Sequence, residues 1–269
     1  MKKISNFRFN SIAFGAILLI AAFNACQFAS LAQPMPREDP GKPLTQSGGP
    51  RFVQPREDID MQFKPPVTPR STRGGCALDS NPNPIYLIPL VPPNNFARTV
   101  SDYPTFFFNW PPIRAKLAEF SLLDPNDKEI YKQTLEISNL SGTVEVSIPA
   151  NKNVPPLEVG KNYRWSLTVI CDNPQDRSGD LFQMGTVRRV ELSPDIRSQL
   201  EKADPRQKSF IYAENGIWQD AISTLAAARR AQPDDPTLKA DWESLLDSVK
   251  LSKIAKDPIV QTEVSEPQP

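Results

Sequence analysis

Asp176, Ser178 and Asp180 place oxygen-bearing side chains at alternate positions around Gly179. The front of a calcium loop offers itself in this way to an ion that takes roughly six to eight oxygens from a flexible turn. Two features oppose that reading. No glutamate follows at the distance of a bidentate ligand, and Arg177 puts a positive charge inside the site. The competing expectation is a solvated turn with local Asp–Arg and Asx hydrogen bonds. The other reactive residues are cysteines, at 26, 76 and 171. Two isolated thiols without histidine do not complete a four-ligand zinc site, whereas a Cys76–Cys171 disulfide needs only an oxidising compartment.

Histidine is absent, and 31 basic residues balance 31 acidic ones. The first fact removes the usual general base and metal ligand together with every Ser-His or Cys-His nucleophile pair. The second removes the basic footprint that nucleic acid requires. What remains for an enzyme is carboxylate-pair or lysine chemistry, and no spacing singles out two acidic residues for it. The chain therefore reads as a non-enzyme, with no catalytic residue and no cofactor.

The element that announces the architecture is 157–171, where Tyr163, Trp165, Leu167, Val169 and Cys171 alternate with Arg164, Ser166 and Thr168 after a Gly160-Lys161-Asn162 turn. Alternation of this length predicts a strand buried on one face. Six further strands are expected at 85–90, 105–110, 118–123, 129–135, 143–148 and 181–192, with Asp124-Pro125-Asn126-Asp127 as a hairpin turn. Seven strands within 76–192 predict an antiparallel β-sandwich with Phe106, Phe108, Phe120 and Trp165 in its core. The period then changes, and helices are expected at 196–203, 206–215, 218–231 and 237–249, forming a module over 193–256. The fold class is α+β.

Lys2, Lys3 and Arg8 precede an apolar run over 12–23 that is short for a membrane span;. An export signal over 1–32, cleaved after Ser30-Leu31-Ala32, is the leading reading. A lipobox ending at Cys26 comes second and an uncleaved anchor third. Membrane attachment follows only if Cys26 is lipidated. Residues 33–75 are proline-rich and poor in apolar side chains, which predicts a disordered linker, and 257–269 a disordered tail.

Phe108-Asn109-Trp110-Pro111-Pro112 resembles the end of an early strand in fibronectin type III domains, and Leu157-Glu158-Val159-Gly160-Lys161-Asn162-Tyr163 resembles their tyrosine corner. That resemblance implies a Tyr163 hydroxyl bonded to backbone a few residues upstream. Cys171 departs from the family. Gly216, Trp218, Ala221, Leu225, Ala228 and Pro233, with Tyr212 before them, resemble the second half of a tetratricopeptide repeat; Lys208 departs from the first half. Together Arg73-Gly74-Gly75-Cys76, Pro104-Thr105-Phe106, residues 157–165, Cys171-Asp172, Asp176-Arg177-Ser178 and residues 212–218 resemble the cyanobacterial family called domain of unknown function 928. That resemblance spans about Arg73 to Ala255 and implies an exported cyanobacterial protein with no activity or site residue to carry over.

The functional expectation is an envelope protein, periplasmic or extracellular, in which the sandwich presents the helical module to a protein partner. Two helices expose more apolar surface than they cover: if the sandwich covers it the helices are a structural cap, and if not, Phe210, Ile211, Trp218 and Leu225 are the expected partner-binding residues. The alternative is a polysaccharide-binding module, which requires rings on a solvent face.

Overall fold

The computed structural model describes residues 48–59, 61, 76, 87–138, 141–150, 153–171, 177 and 179–260. The expected export signal, Cys26 included, lies outside them.

Among the described residues, nine strands form two sheets. One holds β1 (Ile88–Pro89), β3 (Thr105–Trp110), β6 (Gly142–Ser147) and β9 (Ile259–Val260), in that order. The other runs β2 (Phe96–Thr99), β8 (Leu181–Arg189), β7 (Asn162–Ile170), β4 (Leu117–Leu123) and β5 (Glu129–Glu136). The expectation of purely antiparallel sheets is corrected at two edges, because β2 pairs parallel with β8 and β6 pairs parallel with β9. Both edge strands reach their partners through long connections rather than hairpins, and such connections permit parallel pairing. Neither β2 nor β9 announces itself in sequence, since each is too short to display a period.

The sheets share one core. Phe106 and Phe108 of β3 and Val144 and Val146 of β6 meet Phe120 and Leu122 of β4 and Trp165 and Leu167 of β7. Phe108 and Trp165 stack edge to face with centroids 5.5 Å apart, the arrangement that ring quadrupoles favour. β7 buries every second residue, as its alternation predicts. Trp165 lies opposite Gly185 in the ladder, where a Cβ would come within 2.4 Å of the indole. Glycine on β8 is therefore what lets the largest side chain of β7 lie flat in the core.

Cys76 and Cys171 are joined in a disulfide whose Cα atoms lie 4.5 Å apart and whose loop spans 95 residues. In the chain-entropy account, closing such a loop stabilises the fold by about 4–5 kcal/mol. Just before β7, the Tyr163 hydroxyl accepts the Glu158 N–H at 2.9 Å. At the expected hairpin turn, Asp124 Oδ1 accepts the Asn126 and Lys128 N–H groups at 2.8 and 2.9 Å, and these backbone donors hold its carboxyl below the usual range.

The helices α2 (Pro194–Lys202), α3 (Pro205–Glu214), α4 (Trp218–Ala231) and α5 (Pro236–Ser248) follow. Ser193, Asp204 and Asp235 cap α2, α3 and α5, and each cap is followed by proline at the first helical position. Proline has no N–H to leave unpaired there, which sets these helices one or two residues earlier than their hydrophobic period suggests.

Two segments expected to lie free of the fold are partly packed. Within the expected linker, α1 (Arg56–Ile59) and the residues before it rest on the helices and β2, and Phe52 packs against the helical core. Within the expected tail, Ile259–Val260 is β9, and Asp257 accepts the Asn109 side-chain N–H at 2.8 Å.

Tyr163→Phe leaves the Glu158 N–H without its acceptor, so it should lower stability by about 1–3 kcal/mol. A shift of the denaturant midpoint at unchanged slope checks this, and an unmoved midpoint would show that the corner contributes nothing.

Candidate functional site

β3 is buried on both faces. Phe106, Phe108 and Trp110 point into the core between the sheets, while Phe107 points out of it. Phe107, Leu90 and Ala97 form the floor on which Trp218, Ile222 and Leu225 of α4 and Leu238, Trp242 and Leu245 of α5 pack.

The first turn of α4 fastens this layer by three consecutive side chains. Trp218 Nε1 donates to the Leu90 carbonyl at 2.7 Å. Gln219 Nε2 donates to the Thr105 carbonyl at the start of β3. Asp220 Oδ2 accepts from Thr99 Oγ1 at 2.9 Å and from the Val100 N–H at 3.0 Å. At the other end of the helix Arg230 pairs with Glu145 of β6. One helix thus ties β2, β3, β6 and the end of β1 together.

Three buried aspartates hold arginines: Asp58 pairs with Arg98, Asp180 with Arg177 and Asp241 with Arg206. Asp220 differs, since its hydrogen-bond partners are a hydroxyl and a backbone N–H. Burial pushes its pKa up to about 6, against the opposing pull of Val100 and Thr99. The Tyr212 hydroxyl is pushed up as well, first by burial and then by the Asp220 charge.

A second feature lies across the helices. Residues 48–59 run over α5, the α3–α4 corner and β2. The Phe52 ring stands edge-on to Trp218, with centroids 5.2 Å apart and planes at 84°. Phe52 N–H donates to Ser248 Oγ and Val53 N–H to the Ala213 carbonyl, both at 3.0 Å. Gly49 and Gly216 permit the approach: a Cβ on the first would meet Ser244 Cβ at 2.5 Å, and one on the second Pro55 Cγ at 2.4 Å. Gly216 also has φ +71°, where side chains are strained. Farther on, Asp58 takes Arg98 through Nε and Nη2 at 2.6 and 2.8 Å, and Glu57 takes Nη2 at 2.8 Å. Arg98 holds the Glu57 carboxyl below its usual range, and Asn94 Nδ2 donates to the Asp58 carbonyl at 2.8 Å.

The residues singled out from sequence fall as follows. Phe210, Ile211, Trp218 and Leu225 are all buried within the chain. The expected groove built from them is corrected: Trp218 and Leu225 are spent on the sheet, and Arg206 lies 5.0 Å over the Phe210 ring. Asp176 and Ser178 lie outside the described residues. Asp180 accepts the Cys171 N–H at 3.2 Å and pairs with Arg177, so its carboxylate is committed to anchoring the loop beside the disulfide. All four tryptophans are fully buried, which leaves no indole as a solvent-facing sugar platform. Gln219, Asp220, Thr99 and the Arg98–Asp58 pair were not legible, because polar residues on a helix or edge strand give no sign of burial.

Residues 68–259 match the family model described as Domain of Unknown Function (DUF928). No curated protein matches the chain.

Asp220 has a folded-state pKa raised above its ordinary 3.8 to about 6. Its contribution to stability is therefore fully present below the unfolded pKa and is lost as pH rises through the folded one. Asp220→Asn keeps an acceptor for Thr99 and Val100 and removes the charge. Above pH 7 the variant should be more stable than the parent by up to about 3 kcal/mol. The difference should vanish near pH 4. Thermal unfolding of both proteins across that range measures it; a constant difference would remove Asp220 as the titrating group.

Proposed function

The chain belongs to the DUF928 family, and we propose that it is a non-enzymatic, exported cyanobacterial envelope protein that acts as a protein-interaction module. The observation that carries this reading is the seat of residues 48–59. The helices and β2 hold an extended stretch and the helical turn after it through two backbone N–H groups of the segment, one ring and the β2 arginine, the kinds of contact by which a folded surface recognises a peptide.

We read the two sheets as an immunoglobulin-like sandwich. The order β2-β8-β7-β4-β5 opposite β1-β3-β6 corresponds to a G-F-C sheet, with added edge strands, facing A-B-E. Tyr163 at the start of β7 then stands where the tyrosine corner of such domains stands. The helices α3 and α4 are read as one tetratricopeptide-like hairpin, turned at Gly216 and buried through Ala221 and Leu225. A single hairpin of this kind cannot cover its own faces, and Phe107 of β3 gives it a floor. The disulfide supports an oxidising compartment;.

The test is recovery of the tagged full chain from fractionated cells. It should appear in the envelope fraction with Cys76 and Cys171 unreactive to alkylation before reduction. It should also co-purify reciprocally with one defined protein, and Arg98→Ala should reduce that recovery. Recovery from the cytosol with free thiols, or from the envelope without a partner, would refute the proposal.

A further inference from the structure

We infer that the surface covered by residues 48–59 is a peptide-binding site, and that this segment is its built-in occupant. Its ligand is a segment of another protein that is extended around an aromatic residue and, five and six residues later, presents two acidic side chains from a single helical turn, as Glu57 and Asp58 do. This deepens the interaction-module reading and rests on it for the source of the ligand.

The seat does not depend on its occupant. Trp218, which receives Phe52, is held by the Leu90 carbonyl, and its neighbours Gln219 and Asp220 are held by Thr105, Thr99 and Val100. Arg98 sits on β2 in register with Arg188 of β8. Ser248 and Ala213 belong to α5 and α3. A surface fixed in advance binds without the cost of ordering itself.

The occupant, in turn, is laid on the fold rather than built into it. It joins neither sheet. Phe52 is only partly buried against the helical core, and Val53 and Ile59 remain 56% and 53% exposed. Lifting it off exposes the Trp218 edge of the helical core, where Phe52 packs, and the Arg98 guanidinium, where buried Asp58 pairs, and leaves the core between the sheets closed.

Charge selects the ligand. The Arg98 side chain is 15% exposed and the Asp58 side chain 4%. Those exposures hold with the segment in place; lifting it presents the guanidinium to solvent with its Nε and Nη2 unpaired, and charge-assisted pairing then favours acidic groups at that point;. The chain itself supplies a matched control. Pro-Arg-Glu-Asp occurs at 36–39 as well as at 55–58, but Gln33 stands where the second copy has Phe52. The first copy therefore has the charges without the ring.

The experiment uses the full chain and two labelled peptides, 48–59 and 29–40, read by fluorescence anisotropy. Gly49→Val with Phe52→Ala loosens the built-in segment, since a Cβ at 49 meets α5 backbone and the ring contact is lost. Peptide 48–59 should bind this variant at least about tenfold more tightly than it binds the parent, and peptide 29–40 at least about tenfold more weakly than peptide 48–59. Adding Arg98→Gln should cost about another tenfold. Hydrogen exchange on the parent supplies an independent reading: the Phe52 and Val53 amides should open at lower free energy than those of α4. Equal binding to parent and variant, equal binding of the two peptides, or no binding to a variant that stays folded would overturn the proposal. So would a variant that unfolds, or amides at 52 and 53 that open only with the whole protein. A dimer formed by exchange of residues 48–59 between copies, seen by size-exclusion chromatography, would make the occupant a second copy and overturn the foreign ligand. Failure of envelope recovery leaves these measurements unaffected, so the two readings fail separately.

Discussion

Successive side chains on a strand point to opposite faces, and in β3 that rule acts on three adjacent phenylalanines. Phe106 and Phe108 fill the space between the sheets, and Phe107 is forced out onto the far side. Phe107 on the outer face of its sheet, Leu90 just beyond β1 and Ala97 of β2 in the other sheet together make one apolar surface, and the helical layer is what buries it;. The converse holds as well, because the face of α4 turned away from its neighbouring helices takes its floor from the same residues. Sheets and helices are therefore joined by one constraint, and the described residues fall in one compact unit.

The polar contacts give that junction its register. Hydrophobic burial is indifferent to small slides of a helix across a sheet, whereas hydrogen bonds have short, directed geometries. Trp218, Gln219 and Asp220 name three separate backbone positions on the sheets, and Arg230 names a fourth point on β6. Asp220 is the costly member, because a carboxylate there is stabilised by two neutral donors and no arginine. The buried aspartates paired with arginines carry no such burden. The helix is thus held in one position by a group whose burial costs less once acid neutralises its charge;.

The same arrangement explains why the surface for another chain lies where it does. The apolar face of the helical pair is consumed by the sheets, and residues 48–59 cover the opposite edge, where the Trp218 ring, the Ala213 carbonyl of α3 and Arg98 of β2 meet them. These are backbone-directed and charged features, suited to an extended segment more than to a second helix. Residues 48–59 meet each of them in turn.

Much of this molecule is written locally. The alternation in β7, the Asp124 turn, the capped helices and the Tyr163 corner follow from residues within a few positions of one another, and so they were readable. The pairing of Cys76 with Cys171 followed once Cys26 was assigned to the export signal, since the two remaining cysteines have one way to pair. Other features depend on residues far apart in the chain. The short strands β2 and β9 exist because β8 and β6 offer them free edges. Phe52, in a stretch with the composition of a linker, is ordered by Trp218. Phe210, Ile211, Trp218 and Leu225 carry the pattern of an apolar face, and a pattern says that a face must be covered without saying by what. The periodicity of single elements, set by backbone geometry and nearest neighbours, was therefore determined by sequence alone. Which faces meet, which polar side chains are buried between them and which surface stays open depend on contacts between distant residues, and only the tertiary structure decided them.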